Sequence, residues 1–132
     1  MELFRVAKDS FGFGDYTLSE KSKLSDVNFL GDLYKVKTYA EITKLEKNGG
    51  FLYESVPGTT VENFKEEVGT VSFSVEGNAN TQITLGLEEE KEYRVLVDGT
   101  VLGKVATNIG GKLVVSLELT AGKPQQVVVE RA

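Results

Sequence analysis

The side chains with most to offer chemistry are aromatic and acidic, and neither set has the spacing of a catalytic motif. Tyr16, Tyr34, Tyr39 and Tyr53, with Phe11, Phe13 and Phe51, could supply rings on which a sugar stacks. Most of the Phe and Tyr residues precede Lys65, while Trp is absent. The competing reading is that aromatic side chains in strands pack against facing residues in a core. The 20 Asp and Glu residues allow in principle the carboxylate pair of a glycoside hydrolase, which must be held at a fixed separation across a cleft. No pair is singled out by its spacing.

The missing residue types exclude more. With no His and no Cys, neither a Ser-His-Asp nor a Cys-His nucleophile can be assembled. Zinc and facial-triad iron sites lose their main ligands, and disulfides cannot form. Gly12-Phe13-Gly14 lacks the third glycine and the following helix of a dinucleotide loop, and no phosphate-cradling Gly-x-x-x-x-Gly-Lys run occurs. Asp98-Gly99 and the run Glu88-Glu89-Glu90 could offer oxygen ligands to a cation, but turn chemistry accounts for both. The expectation is therefore no catalytic residue, no metal and no cofactor. Tyr16, Tyr34, Tyr39 and Tyr53 stand as candidate ligand-binding residues.

The elements that must position these side chains read as strands. Val71, Phe73 and Val75 share one face of a period-two pattern, as do Ile83, Leu85 and Leu87, then Tyr93, Val95 and Val97. Leu113, Val115, Leu117 and Leu119 form the longest series, and Val127 and Val129 the last. The turns agree. Asp98-Gly99 between alternating hydrophobics predicts a type I′ hairpin, whose two central residues need positive φ. Asn108-Ile109-Gly110-Gly111 and Ala121-Gly122-Lys123-Pro124 predict further reversals. Val56-Pro57-Gly58-Thr59 fits a type II turn. With Thr59–Lys65 as a first strand, about seven strands follow with turns every ~8–12 residues, the pattern of a sandwich.

The first half is less regular. Leu3–Lys8 and Phe11–Leu18 suit a hairpin through Lys8-Asp9-Ser10. Thr38-Tyr39-Ala40-Glu41 fits a capping box, which would open a short helix ended by Asn48-Gly49-Gly50. The alternative is a continuous strand Tyr34–Leu45 turned by Asn48-Gly49 into Phe51–Val56. Both readings stand. The fold class is all-β, an antiparallel β-sandwich of immunoglobulin-like or jelly-roll-like kind, with or without that helix. Two regions are expected: 1–58, aromatic-rich and either separate or part of one core, and 59–132, the antiparallel β-sandwich region.

The 132 residues, 40% of them hydrophobic, suffice for a packed core. A net charge of −5 argues against nucleic acid, whose phosphates need clustered cations. No apolar stretch approaches the ~20 residues that span a bilayer, so no membrane insertion is expected. The start Met1-Glu2-Leu3-Phe4-Arg5 lacks the pattern of a signal peptide. That points to the cytoplasm and leaves non-classical export open.

Several longer runs carry a family resemblance. They include Gly31-Asp32-Leu33-Tyr34-Lys35-Val36-Lys37-Thr38, Glu41–Gly49, Tyr53-Glu54-Ser55-Val56-Pro57-Gly58-Thr59, Gln82–Glu88 and Gly110-Gly111-Lys112-Leu113. Through them nearly the whole chain resembles short proteins of Gram-positive, Clostridia-type bacteria that carry the label endosialidase. The resemblance implies a glycan-acting enzyme. Sialidases hold the sugar carboxylate with several arginines and use a Tyr nucleophile on a propeller. This chain has only Arg5, Arg94 and Arg131, and is shorter than a propeller of at least four blades of ~40 residues. No catalytic residue is carried over. The leading expectation is a non-catalytic interaction or assembly (structural) protein that associates with itself or with another protein. A carbohydrate-binding module is second, and a glycan-acting enzyme third.

Overall fold

A computed structural model describes all 132 residues. It contains thirteen strands and no helix. In chain order they are β1 (Phe4–Val6), β2 (Phe11–Phe13), β3 (Ser22–Phe29), β4 (Asp32–Tyr39), β5 (Ile42–Lys47), β6 (Gly50–Val56) and β7 (Thr60–Glu67). Then come β8 (Thr70–Glu76), β9 (Asn80–Gly86), β10 (Glu92–Val97), β11 (Thr100–Ala106), β12 (Lys112–Glu118) and β13 (Gln125–Arg131). Two antiparallel sheets face each other. One has seven strands in the order β1-β2-β7-β8-β13-β10-β11, the other six in the order β12-β9-β6-β5-β4-β3.

Alternation builds the core. In β8, β9, β12 and β13 every second residue faces inward, and Val71, Phe73, Val75, Ile83, Leu85, Leu113, Val115, Leu117, Val127 and Val129 are all buried. One cluster of 24 buried hydrophobic residues runs from Phe4 to Val129, so residues 1–58 and 59–132 share a single core. Position 58 is where the chain leaves the six-stranded sheet after β6 and enters the other as β7.

The hairpin at Asp98-Gly99 has φ of 50° and 81°, as a type I′ turn requires. Asn48-Gly49 is a second such hairpin, with φ of 50° and 79°, and it joins β5 to β6 rather than closing a helix. Two expectations are thereby corrected. Neither reading of Thr38–Asn48 holds in full: the short helix is absent, and the continuous strand Tyr34–Leu45 is instead the end of β4, the two-residue turn Ala40-Glu41 and β5. Thr38 does not cap, because its hydroxyl lies 2.8 Å from that of Thr43 across the strands. Glu41 does not reach back to Thr38 but accepts a hydrogen bond from Tyr39 at 2.7 Å. The second correction is at Val56-Pro57-Gly58-Thr59. The Val56-Pro57 bond is cis and Gly58 has no positive φ, so the segment is not the type II turn that positive φ at its third position would define.

Two other expected segments are shorter than the patterning suggested. The hairpin through Lys8-Asp9-Ser10 forms, closed by a bond from Ala7 N–H to Ser10 C=O of 2.9 Å, but β2 ends at Phe13 and the chain then crosses between sheets. Gly12 sits there beneath the Glu62 carboxylate, in space a Cβ would occupy.

Candidate functional site

The four candidate tyrosines do not converge. Tyr34 and Tyr53 are 5% and 0% exposed and belong to the core. Tyr34 packs at tilted and edge-on angles within a cluster that includes Phe4, Phe11 and Phe29. Tyr53 meets Phe13 and Phe73 edge-on, with ring centroids 5.1 and 5.7 Å away, a favoured aromatic geometry. Tyr16 and Tyr39 are half-buried. Tyr16 donates to the Glu76 carboxylate at 2.7 Å, and Tyr39 lies on the outer face of the six-stranded sheet with Lys21 Nζ 5.8 Å from its ring. Phe11 and Phe13 are core residues. Phe51 is on the outer face, covered by Lys112 Nζ at 4.8 Å. A platform made of all four tyrosines is therefore not formed.

The hydroxyl of Tyr53 is engaged from within. It lies 2.8 Å from Thr59 Oγ1, which is also 2.8 Å from Ser55 Oγ. Thr43 donates to the Thr59 carbonyl at 2.8 Å and accepts from the Thr59 N–H at 3.0 Å. Its single hydroxyl proton is thus used, so in the 2.8 Å contact between Thr38 and Thr43 the donor is Thr38. Thr38 in turn accepts from the Asp15 N–H at 2.9 Å. Every buried side-chain nitrogen and oxygen is hydrogen-bonded. The network fastens the β6–β7 crossing to the start of the β2–β3 crossing. It leaves no unpartnered polar atom aimed at a ligand.

Burial pushes the Tyr53 hydroxyl far above the ordinary phenol value. Its hydrogen bond to Glu76, then burial, push Tyr16 up to about 12. The hydrogen bond to Glu41 is the first cause raising Tyr39. All three changes favour the neutral phenol, the opposite of what an activated tyrosine nucleophile needs.

The surface concavities differ in what borders them. The largest, about 560 Å³, is a shallow depression bordered by Val56, Asn80, Gln82, Ser116 and Glu118. A smaller one of about 130 Å³ is ringed by Lys23, Lys35, Lys37, Lys44 and Glu46. Register explains the lysine cluster: Lys23 pairs with Lys37, and Lys37 with Lys44, on adjacent strands. None of these four lysines makes an ion pair within the chain. No group of three or more Asp and Glu side chains is placed to hold a metal ion.

The feature that sequence reasoning missed is an edge. Alternation in Lys112–Glu118 identifies a strand with one buried face, but not its place at the end of a sheet. Of the four edge strands, β1 has three residues. The edge strand β3 is bulged between Leu24 and Val27, with Asp26 at φ 58°. In β11 the register slips opposite Val95/Leu96, beside Gly103. Short length, bulges and inserted charge are the usual protections against edge pairing. Strand β12 has none of these. Its seven residues pair in unbroken register with β9, without Pro or Gly, and its only charges are the terminal Lys112 and Glu118. Comparison with family models, curated proteins and solved structures finds no match to this chain.

Proposed function

We propose that this protein is a non-catalytic β-sandwich module for interaction and assembly, and that it associates with itself. The observation that carries this reading is the unprotected β12 edge in a molecule whose other three sheet edges are shortened or bulged. An open row of backbone donors and acceptors is a template for another strand. The internal engagement of Tyr53 and the Thr59 hydroxyl network supports the same reading, because the most elaborate polar cluster is structural. Sedimentation velocity or native mass measurement over a wide concentration range tests it. Concentration-dependent association is the expected result; a strict monomer at the highest concentration would sink the proposal.

A second reading is a carbohydrate-binding module. It rests on the half-buried Tyr39 and Phe51 and the unpaired Lys23, Lys35, Lys37 and Lys44 on one outer face. Such a face suits an acidic sugar, with the rings for stacking and the lysines for its carboxylates. A glycan array separates the two proposals. Binding confined to acidic sugars and lost in Lys37→Glu/Lys44→Glu would favour the glycan reading, and silence on the array would remove it.

A further inference from the structure

The direction of each β12 backbone group follows from the bonds at its ends. Leu87 N–H donates to Gly111 C=O at 2.8 Å, and Leu119 N–H to Ala79 C=O at 3.2 Å. Antiparallel hydrogen-bonded pairs recur every second residue. With the register Leu113↔Leu85, Val115↔Ile83 and Leu117↔Thr81, the odd-numbered residues of β12 bond to β9. The even-numbered residues therefore direct N–H and C=O away from the sheet. At Lys112 both groups are taken by Asn108, whose Oδ1 accepts at 3.0 Å and whose N–H donates at 3.2 Å. The Glu118 carbonyl accepts from Gln125 Nε2 at 2.7 Å. No such partner exists for Val114 and Ser116, both exposed.

We infer that the occupant of this edge is β12 of a second copy, paired antiparallel about a two-fold axis through Val115. This rests on the self-association proposed above and specifies its surface and register. Centring the axis on Val115 joins the free outward groups of Val114 and Ser116, while the outward groups of Lys112 and the Glu118 carbonyl keep their partners within each copy. Val114 then lies opposite Ser116 of the second copy, and each such pair exchanges two backbone bonds. The same register sets Lys112 opposite Glu118 of the second copy at both ends, on the outer face of the joined sheet, where opposite charges directly across two strands attract. Moving the axis by one residue loses this match: Lys112 then faces Ser116, or Val114 faces Glu118. Val101 and Leu102 of the edge strand β11 are also exposed. A stable specific complex buries ~1,200–2,000 Å². Two strands of seven residues fall at or below that range, so the dimer is concentration-dependent.

The test uses the full chain and sedimentation equilibrium. Lys112→Glu alone sets Glu against Glu118, and Glu118→Lys alone sets Lys112 against Lys, so each variant should dimerise roughly tenfold or more weakly than the wild type. Mixed in equal amounts, the two should form a heterodimer near wild-type strength, because every facing pair is again opposite in charge. Ser116→Pro removes an outward N–H without touching the bonds to β9 and should abolish dimerisation; far-UV circular dichroism verifies that each variant is folded. An oligomer unaffected by all three changes leaves self-association standing and overturns this interface. Loss in Ser116→Pro with no effect of the charge changes overturns the register. A monomeric wild type overturns both readings, and if that monomer captures another protein in a Ser116-dependent way, the occupant is a foreign strand.

Discussion

At the scale of single residues, the hydroxyl network around Thr59 makes the sharpest demand on the sequence. Thr59 Oγ1 lies 2.8 Å from both Tyr53 and Ser55, and all three residues are fully buried. Thr59→Val keeps the shape and strips both neighbours of a partner. The expected cost is about 2–3 kcal/mol, since a buried donor or acceptor left unmade loses ~1–3 kcal/mol. Tyr53→Phe should cost about 1–2 kcal/mol, and the double variant clearly less than the sum, because the second change removes a group the first had already orphaned. Urea unfolding of the four proteins measures this, and strict additivity would show that the groups do not act together. Tyr16 makes a pH prediction. The hydrogen bond to Glu76, then burial, push its hydroxyl from the ordinary 10.0 of the unfolded chain up to about 12 in the folded one. The folded state thus holds the proton more tightly. This contribution is complete below pH 10, and is lost as pH rises toward 12. Tyr16→Phe should be somewhat less stable than wild type at neutral pH but lose less stability between pH 9 and pH ~11.5. Parallel slopes for the two proteins across that window would contradict the assignment.

At the scale of elements, the signals that survived into the structure were those with a single physical meaning. Asp98-Gly99 encodes a type I′ hairpin and forms one, and Asp98 also accepts from Gln126 N–H at 2.8 Å to tie the turn to β13. The alternating runs from Val71 to Val129 are strands with one buried face. The segment Thr38–Asn48 was ambiguous because its inward row is polar: Thr38 and Thr43 are fully buried beside Val36 and Leu45. Period-two hydrophobicity is hidden when hydroxyls occupy the inner positions, and Thr-x-x-Glu then imitates a cap. Ser22–Phe29 showed no alternation because β3 is a bulged edge strand with mostly exposed residues. The tyrosine set was misleading for the opposite reason: ring content is visible in a sequence, whereas which face of a strand it lies on depends on register. The turn joining β3 to β4 is another place where local preference and fold disagree. Leu30 has φ 50° ahead of Gly31 at 89°, and it is 73% exposed. A γ-branched residue in the left-handed region costs roughly 1 kcal/mol, and burial here offers little in return. Leu30→Asn should therefore stabilise the protein by about 0.5–1 kcal/mol, seen as a higher urea midpoint at unchanged slope. A fall in the midpoint would mean that Leu30 makes a contact worth more than its backbone conformation costs.

At the scale of the whole molecule, the chain crosses between sheets repeatedly, and this decides whether its two halves can be separated. Residues 1–58 are split between the sheets: β3 to β6 are four adjacent strands of the six-stranded sheet, and β1 and β2 form one end of the other. Strands β1 and β2 need β7, through Phe11↔Phe64 and Phe13↔Val61. Strand β6 needs β9, through Tyr53↔Leu85 and Ser55↔Ile83. Residues 59–132 keep the order β7-β8-β13-β10-β11 in one sheet but retain only β12-β9 in the other. That two-stranded remnant cannot cover Phe64, Phe73 and Val61, which pack against Phe13 and Tyr53 in the intact protein. An isolated pair of strands is marginal in water, and three or more with a shared apolar face are needed for independent stability. The intact protein should therefore unfold in one cooperative transition, with tyrosine fluorescence and far-UV circular dichroism giving coincident curves. A fragment of residues 59–132 should lack dispersed amide resonances and cooperative melting. Adding a separate 1–58 fragment should restore both, because the interface between them is the core itself. Independent cooperative unfolding of the 59–132 fragment would show that the β7–β13 strands alone hold enough apolar area to fold, and that residues 1–58 decorate a finished domain.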